Sequence, residues 1–466
     1  MSKSKLEDVD KNIQSTRKKL DSVSPSFCGA KWLQVTMHLQ NGQTHSCHHP
    51  VTHHVPLREL AENKTALHNT NVKKKIRKDM LNGKKPKECQ YCWNMENLGP
   101  HIVSDRHIKS NDEWASPSLD KIAALPWNSN INPTYVEVSF SNTCNFKCAY
   151  CLPHISSKWM AEIQEHGPYP TYFRHNSLRY LKRSKLLPLT SEENNPYVES
   201  FWKWWPDLYP TLKVFRITGG EPLLSPNTFK VLDYIIAHPN RSLDLAINSN
   251  LGVPTELVKK LSEKIKTILE QKAVRHVQVY TSVDTWGPQA EFLRHGLDLE
   301  LFKRNLDLHF SINKDVPVTI MCAFNLLSIF NFHELIDFVA EQRAKNRQLI
   351  LDISYVRSPE FLDCRLLPDA WKRTATQLLA RMEAQNFYRY EIIKMSRLVE
   401  FLNSTLKPKD LNHHRREFVT FMDEHDRRRK TNFLAIFPEF AEDYKQWALL
   451  KQTKDLKYYI YKILLG

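Results

Sequence analysis

Residues 141–151 read S-N-T-C-N-F-K-C-A-Y-C and place three cysteines at the spacing C-x3-C-x2-C. Residues 135–140, Y-V-E-V-S-F, have the β-branched and aromatic content of a strand. The cysteines therefore lie on the loop that leaves a strand, where β/α folds build their active sites. Three thiolates can bind three irons of a 4Fe–4S cluster and leave the fourth iron open for chemistry. The alternatives are a structural zinc site, which usually combines C-x2-C pairs, or plain buried thiols.

Strand-like runs recur after this loop, at residues 213–218, 243–248, 277–283, 316–324 and 349–356. Helical patterns lie between most of them. The clearest helical pattern covers 254–272, where Pro254 suits a first turn and one face is apolar. Alternating strands and helices predict parallel strands joined by right-handed crossovers. Six such units predict an α/β fold, a partial (β/α)6 barrel of the TIM type that is open on one side.

The cysteine loop, including Tyr150 before its last cysteine, resembles the signature of the radical SAM superfamily, whose fold is the same partial barrel. The resemblance implies that Cys144, Cys148 and Cys151 bind a 4Fe–4S cluster and that the free iron takes S-adenosylmethionine, with Tyr150 near this cofactor. In that family one electron cleaves S-adenosylmethionine to methionine and a 5′-deoxyadenosyl radical. The radical then takes hydrogen from a substrate.

The second predicted strand ends in T-G-G-E-P, residues 218–222. Two glycines at the end of a strand let the backbone approach a ligand closely, and Glu221 places a carboxylate where an ammonium group can bind. The run resembles the G-G-E-P motif of the family. This resemblance implies that Gly219, Gly220 and Glu221 contact the amino group of S-adenosylmethionine.

Polar residues also end the third and fourth predicted strands. Asn248 and Ser249 match the family's contacts to the ribose and carboxylate of the cofactor, or they simply cap the next helix. Ser282 and Asp284 resemble the S-x-D of SPASM-type relatives. This implies a cofactor contact for Ser282, whereas Asp284 is either a catalytic base or a residue that orients its loop. Arg294 resembles an arginine that pairs with the methionine carboxylate, although a surface salt bridge is the alternative.

Four more cysteines precede the predicted barrel: Cys28, Cys47, Cys89 and Cys92. A strand-like run at 31–39 and a hairpin turn at Asn41-Gly42 would bring the first two together. Their spacing, C-x13-G-x4-C followed by C-x2-C, resembles the twitch or SPASM auxiliary-cluster module and implies a second 4Fe–4S cluster. That module usually follows the radical domain, whereas here it precedes it. A zinc ribbon would use four thiolates equally well. Exposed histidines near Cys47 are not predicted as ligands, because such residues are more often free than bound.

The 466 residues are enough for two or three folding units. We predict a polar N-terminal tail or short surface helix at 1–27, a twitch-like module at 28–100 and a linker at 101–133. The radical SAM core follows at 134–360, and a helical region at 361–466. Residues 152–212 form a long connection with three tryptophans, which predicts either a helical flap or ordinary core packing.

Composition limits the classes of function. Hydrophobic residues are 41% and charged residues 25%, as in a soluble globular protein, and no apolar run predicts a membrane span or a signal peptide. We therefore expect a cytoplasmic protein without a membrane partner, in which nine cysteines serve metal binding more than disulfides. The net charge of +15 fits either a polyanion partner or a solvated surface, and no nucleic-acid motif accompanies it.

The resemblance also bears on the substrate, since relatives with auxiliary clusters often modify peptides or proteins. It implies a peptide or protein substrate and a reductant such as flavodoxin or ferredoxin. The basic charge keeps an RNA-modifying radical enzyme open as an alternative. A second alternative is a non-catalytic interaction protein that binds zinc through its cysteines.

Overall fold

The strand–helix alternation expected from the sequence is present in the computed structural model, which describes residues 3–99, 101–172, 176–189 and 194–452. These ranges contain eleven strands: β1 (Gln34–His38), β2 (Gln43–His45), β3 (His53–His54), β4 (Tyr135–Ser139), β5 (Lys147–Cys148), β6 (Val214–Thr218), β7 (Asn240–Asn248), β8 (Val274–Thr281), β9 (Arg294–His295), β10 (Val318–Phe324) and β11 (Leu349–Tyr355).

The same ranges contain twenty α-helices: α1 (Lys3–Val23), α2 (Gly29–Leu33), α3 (Leu57–Glu62), α4 (Asn71–Leu81), α5 (Gln90–Glu96), α6 (Asp105–Asn111), α7 (Leu119–Ala124), α8 (Ser157–His166), α9 (Leu178–Arg183), α10 (Pro196–Leu208), α11 (Pro226–Ala237), α12 (Thr255–Glu270), α13 (Gly287–Leu293), α14 (Leu299–Ile312), α15 (Phe332–Ala344), α16 (Asp369–Ala384), α17 (Arg389–Asn403), α18 (Pro408–Arg429), α19 (Phe433–Ile436) and α20 (Ala441–Leu449). None of the helices in the described ranges combines the length and the hydropathy needed to cross a membrane.

The six strands predicted for the core are confirmed as β4, β6, β7, β8, β10 and β11. Helices separate most of them, and the strongest predicted helical pattern becomes α12. The fold is therefore a mixed α/β fold with a largely parallel sheet. Among the described residues, the chain divides into two compact units. The first comprises Met1–Asn142, Pro188–Asn248 and Thr267–Val277, and the second comprises the remaining segments.

The sheet of the first unit has the strand order β3-β2-β1-β4-β6-β7. Strands β1, β4, β6 and β7 are parallel, while β2 and β3 are antiparallel additions at the edge. The pairing of β1 with β4 joins the cysteine-rich region to the first strand of the predicted barrel, with Thr36 opposite Glu137. The predicted domain boundaries remain predictions, although this pairing crosses two of them.

The second unit contains the end of β8, which pairs in parallel with β10, and β10 pairs in parallel with β11. Strands β5 and β9 form a separate antiparallel ribbon of two residues each. The helices from α13 onward also belong to this unit. Aromatic side chains fill much of the space among α18, α19 and α20, where Phe418, Phe433 and Trp447 are almost fully buried.

The predicted strand at 31–39 is partly wrong, because its first residues form the short helix α2 and the strand begins at Gln34. All five residues of α2 are buried, and Trp32 and Leu33 join a hydrophobic cluster with Leu20 and Phe27. Burial of this turn overrides the alternating pattern, which by itself favours a strand. The hairpin predicted at Asn41-Gly42 is confirmed by the antiparallel pairing of β1 with β2.

Two other segments differ from their expected character, and a third matches one of its two predicted alternatives. The N-terminal region forms α1, a 21-residue helix whose Leu20 is fully buried, rather than a mobile tail or a short surface helix. The segment predicted as a linker carries α6 and α7, and the buried side chain of Trp114. Trp204 and Trp205, in the segment predicted as a flap or core, are core residues of the first unit. The aromatic C-terminal end at 458–461 lies outside the described residues.

Gly42 is required at the hairpin turn, and its replacement by alanine is expected to destabilise the first unit. Its φ is +66°, and a Cβ atom would lie 2.1 Å from a ring carbon of Tyr197. Gly83→Ala is the matched control, because Gly83 has a φ of +74° but its nearest neighbour would lie 3.5 Å away. Overpacking should make Gly42→Ala about 1–3 kcal/mol more destabilising than the control. Thermal denaturation checks this prediction, and equal melting temperatures for the two variants would contradict it.

Candidate functional site

The three cysteines of the 141–151 stretch lie between β4 and α8 in the chain, and backbone hydrogen bonds shape their loop. The Cys144 N–H donates to Oγ of Ser157 at 3.1 Å, at the start of α8. The Phe146 N–H donates to Sγ of Cys144 at 3.4 Å. The Cys151 N–H donates to the carbonyl of Cys148 at 2.9 Å. All three thiols are half-buried, so they line a loop with limited contact to solvent.

The loop keeps its shape because Phe146 packs against two glycines of the second unit. A Cβ at Gly252 would lie 2.4 Å from the Phe146 ring, and a Cβ at Gly296 would lie 2.8 Å from the Asn145 carbonyl oxygen. The side chain of Asn145 donates to the Gly252 carbonyl at 2.8 Å and accepts from the Asn250 amide at 2.8 Å. Only glycine permits these approaches, so the segments around Gly252 and Gly296 fix the position of the loop.

The C-terminal helix α18 supports the strand that carries Cys148. Arg429 of α18 is buried, forms an ion pair with Glu162 at 3.1 Å and donates to the Lys147 carbonyl at 2.7 Å. Nζ of Lys147 lies 2.6 Å from the same carboxylate. Nε1 of Trp159 donates to the Cys148 carbonyl at 2.7 Å. The backbone carbonyl groups of Lys147 and Cys148 therefore both accept hydrogen bonds from side chains.

A buried polar network links Tyr150, Asp284 and Arg294. Asp284 is fully buried, and its Oδ2 accepts from the Tyr150 hydroxyl at 2.7 Å and lies 2.9 Å from Nε of Arg294. Its Oδ1 accepts from Nη2 of Arg294 at 3.2 Å and from the Ala323 N–H at 2.8 Å. Nη1 of Arg294 donates to Sγ of Cys148 at 3.8 Å. The guanidinium thus joins the buried carboxylate to one of the three thiols.

Burial shifts the pKa values of the titratable side chains in and beside this network. Burial raises the pKa of the Cys148 thiol, an effect that the positive charge of Arg294 opposes. Burial also raises the pKa of Tyr150 and of Cys151. Burial lowers the pKa of Arg294, but the negative charge of Asp284 raises it. The pKa of Arg294 therefore lies well above its usual value. Thiols with raised pKa values stay protonated unless a bound cation replaces their protons.

The network changes the interpretation of two predicted residues. Arg294 was expected at a methionine carboxylate or in a surface salt bridge, whereas the structure pairs it with Asp284 and Cys148. Both carboxylate oxygens of Asp284 accept hydrogen bonds inside the protein. This geometry favours a positioning role for Asp284 over the role of a base.

Two predicted serines lie elsewhere in the second unit. The hydroxyl of Ser249 accepts from the Leu251 N–H at 3.1 Å, and its own N–H donates to the Tyr280 carbonyl at 2.8 Å. These contacts form a local turn, whereas the predicted alternative to cofactor binding was a cap on the next helix, α12, which begins at Thr255. Ser282 follows β8 and is half-buried. The contacts of these serines do not decide their role, which stays a prediction.

The G-G-E-P run belongs to the first unit and begins directly after β6. Gly219 has a φ of +127°, and a Cβ there would lie 2.6 Å from Oγ of Ser139 and 3.0 Å from the Ser141 carbonyl oxygen. The Gly220 N–H donates to the same carbonyl at 3.2 Å. Glu221 is buried, and its carboxylate accepts from a backbone N–H two residues on, at 3.1 Å. The two glycines thus allow this turn to contact the segment that follows β4.

Asn248 ends β7 on a polar face of the first unit's sheet. Nε of Arg216 donates to Oδ1 of Asn248 at 3.0 Å and lies 3.9 Å from a carboxylate oxygen of Glu137. The Thr218 hydroxyl lies 3.5 Å from the other oxygen of Glu137. We did not predict Glu137 or Arg216 from the sequence. The alternation of polar and apolar residues in both strands was the signal that could have found them.

The four N-terminal cysteines surround one pocket in the first unit. Cys28 precedes α2, Cys47 follows β2, and Cys89 and Cys92 lie on the short helical segment from residue 87 to α5. The structure therefore brings together the four thiols that were predicted to share a ligand. Met80 and Trp93 provide an apolar lining on the same pocket.

Two basic side chains at this pocket were not predicted. Lys31 is buried and ion-paired with Glu88, and Arg106 forms ion pairs with Glu96 at 3.0 Å and with Asp21 at 3.0 Å. These carboxylates balance the positive charge of both side chains. No local pattern in the sequence indicates either residue, because Lys31 reaches the pocket through the packing of α2 and Arg106 through the packing of α6.

Three thiols of this pocket have raised pKa values, as Cys148 and Cys151 do. Burial raises the pKa of Cys89 to about 12 and the pKa of Cys92 to about 12. Burial also raises the pKa of Cys28, and the neighbouring Cys47 adds to this rise. These three thiols stay protonated unless a bound cation replaces their protons.

Sulphur spacing distinguishes one metal ion from a larger cluster. Tetrahedral zinc with Zn–S bonds of about 2.3 Å holds its sulphurs about 3.8 Å apart. In the part of the chain that the structure describes, no three cysteine sulphurs lie within 4.8 Å of one another. Neither set of cysteines therefore has the close sulphur spacing of a bound tetrahedral zinc ion.

Comparison with known proteins gives partial matches only. No family model matches the chain. GTP 3′,8-cyclase of Sulfurimonas denitrificans is 24% identical over 226 residues, which are 48% of this chain and 56% of that enzyme. GTP 3′,8-cyclase of Campylobacter lari is 22% identical over 219 residues, 46% and 53% of the two chains. The enzyme of the same name from Nautilia profundicola is 32% identical over 132 residues, 28% and 31% of the two chains.

The chain thus spans about half the length of the first two of these relatives. GTP 3′,8-cyclases are radical SAM enzymes, and the cysteine loop described above has the spacing expected of that superfamily. The partial similarity and the loop together support an enzyme of the radical SAM superfamily.

Proposed function

We propose that this protein is a radical SAM enzyme in which Cys144, Cys148 and Cys151 bind a 4Fe–4S cluster through three of its irons. The observation that carries the proposal is the buried Arg294 guanidinium, which donates a hydrogen bond to Cys148 within a C-x3-C-x2-C loop. The largely parallel sheet supports a partial (β/α)6 barrel as the scaffold.

The residues present suit such a cluster. The three thiols are half-buried, their loop is fixed by Phe146 and Asn145, and a positive charge adjoins one sulphur. Hydrogen bonds to cluster sulphurs and nearby charge help set the reduction potential, which gives Arg294 a defined role. A reduced cluster in this loop would supply the electron that cleaves S-adenosylmethionine to methionine and a 5′-deoxyadenosyl radical.

The contacts to S-adenosylmethionine are proposed from the family motifs. On this proposal Gly219, Gly220 and Glu221 bind the amino group, and Asn248 and Ser249 bind the ribose or the carboxylate. Ser282 and Tyr150 are further candidates for contacts with the cofactor. For Tyr150 the supporting observation is its hydrogen bond to Asp284, which fixes the aromatic ring beside the cysteines.

A second 4Fe–4S cluster is proposed at Cys28, Cys47, Cys89 and Cys92. The shared pocket and the resemblance of the cysteine spacing to an auxiliary-cluster module support it, and a zinc ribbon would use the same four thiols. Such a cluster would accept an electron from a substrate radical or shape the substrate site.

The substrate proposed from the twitch-like cysteine module is a peptide or protein. A nucleotide or RNA is the second candidate, because the relatives are named GTP 3′,8-cyclases and the chain carries a net charge of +15. Formation of 5′-deoxyadenosine in the presence of GTP, RNA or a peptide extract separates the two candidates, since the true substrate accelerates it. We further propose flavodoxin or ferredoxin as the reductant and the cytoplasm as the location.

Metal content tests the proposal directly. Anaerobically purified wild-type protein is expected to contain about eight irons and about eight sulphides per chain. The triple variant Cys144→Ala, Cys148→Ala, Cys151→Ala should contain about four of each, because only the second cluster remains. The control Cys364→Ala removes a buried cysteine outside both sets and should match the wild type. Absence of iron from reconstituted wild-type protein would refute the enzyme. A triple variant that holds sulphur-ligated zinc in place of iron would make the N-terminal site a zinc ribbon.

A further inference from the structure

A third group of side chains that could bind a metal lies in the first unit, and it contains no cysteine. It comprises His48, His49 and Asp105. Nε2 of His49 lies 2.7 Å from Oδ2 of Asp105, and Nε2 of His48 lies 3.5 Å from the same oxygen. All three ligand atoms lie within 4.8 Å of one another, which no other set of histidine, cysteine or acidic side chains achieves in the described ranges.

The surrounding structure holds these side chains in place. The ring of His49 stacks on Tyr91 with centroids 3.8 Å apart and an interplanar angle of 14°. Asp105 is the first residue of α6, and the next residue, Arg106, is buried in ion pairs with Glu96 and Asp21. Two of the three ligands therefore have fixed positions before any ion binds, which reduces the entropy lost on binding.

The donor set is specific in its chemistry. Two imidazoles and one carboxylate suit divalent first-row transition metals, and three protein ligands leave further positions open. Calcium and magnesium prefer oxygen ligands and are disfavoured by the two imidazoles. Without a metal, the two histidines can share hydrogen bonds to one oxygen of Asp105. A metal ion would instead bind a nitrogen of each histidine and an oxygen of Asp105 together.

We propose that His48, His49 and Asp105 bind one divalent transition metal ion of the zinc class. The ion would tie the segment after Cys47 to helix α6, and so steady one side of the four-cysteine pocket, which His49 and Asp105 also line. The proposal does not depend on the radical SAM chemistry, because it concerns only these three side chains.

Zinc binding to anaerobically purified full-length protein tests the site. After dialysis against low Zn²⁺, elemental analysis should find about one zinc per chain, and X-ray absorption should show Zn–N/O distances of about 2.0–2.1 Å without a sulphur shell near 2.3 Å. His49→Ala and Asp105→Ala should each weaken zinc binding at least ~tenfold. His276→Ala, which removes an exposed histidine of the same unit, should leave it unchanged.

The possible outcomes are distinguishable. Zinc with sulphur ligands that is lost in Cys47→Ala belongs to the four thiols and overturns the proposal, as does zinc binding that survives both His49→Ala and Asp105→Ala. Failure of the wild type to take up zinc also overturns it. Asp105→Asn guards against unfolding as an explanation: it keeps a hydrogen-bond acceptor for the histidines, and should retain the iron content while losing the zinc.

Discussion

Cys148→Ala is expected to abolish the reductive cleavage of S-adenosylmethionine, with 5′-deoxyadenosine formed at the rate of a reaction without protein. Two remaining thiolates cannot hold the three irons of a site-differentiated cluster, and the hydrogen bond from Arg294 loses its acceptor. Chromatographic measurement of 5′-deoxyadenosine, with dithionite as reductant, checks this expectation.

Cys364→Ala provides the control for this prediction. Cys364 is fully buried in the same unit, so its replacement also deletes a buried thiol, yet it should leave cleavage close to the wild-type rate. Circular dichroism of both variants shows whether they are folded. Wild-type cleavage by folded Cys148→Ala would contradict the assignment of the loop.

Asp284→Ala should have the largest effect on stability, a loss of about 3–5 kcal/mol in the free energy of unfolding. Arg294 would then be buried without its carboxylate, and the Tyr150 hydroxyl would lose an acceptor. The control is Asp337→Ala, which breaks the exposed ion pair with Arg381 at 2.6 Å. An exposed pair contributes at most about 1 kcal/mol, so the control should stay near the wild type in denaturant titrations.

Asp284→Asn distinguishes a positioning role from that of a base. If Asp284 positions Arg294 and Cys148, the variant should lose stability and alter the EPR signal of the reduced cluster even without substrate. The double variant Asp284→Asn, Arg294→Met should regain part of the stability, because no charge is left buried. Unchanged stability and EPR signal combined with lost substrate turnover would instead favour the base.

The sequence predicted the parts of the molecule that depend on local pattern. The six core strands, helix α12 and the hairpin at Gly42 follow from periodicity and turn chemistry within short segments. Cysteine spacing likewise identified two groups of thiols, and the four N-terminal cysteines do share a pocket. Ligand spacing is informative because few other requirements place cysteines so regularly.

Contacts between distant segments could not be predicted in this way. The ion pair of Arg429 with Glu162 supports the Cys148 strand from the end of α18, and nothing in either local sequence indicates the other. The sequence likewise did not show that Asp284 and Arg294 form a buried ion pair with each other. Helix α2 replaced part of a predicted strand because its side chains are buried by α1 and the residues after it.

The parallel pairing of β1 with β4 has a consequence for how the protein can be shortened. β1 covers one edge of β4, residue for residue from Tyr135 to Ser139. A chain that lacks residues 1–45 would leave that edge of β4 with unpaired N–H and C=O groups. The apolar residues Val136 and Val138 lie on the same strand. Exposed edges of this kind pair with other chains and aggregate. The N-terminal region therefore shields this edge of the parallel sheet from other chains, in addition to binding any ligand that its cysteines hold.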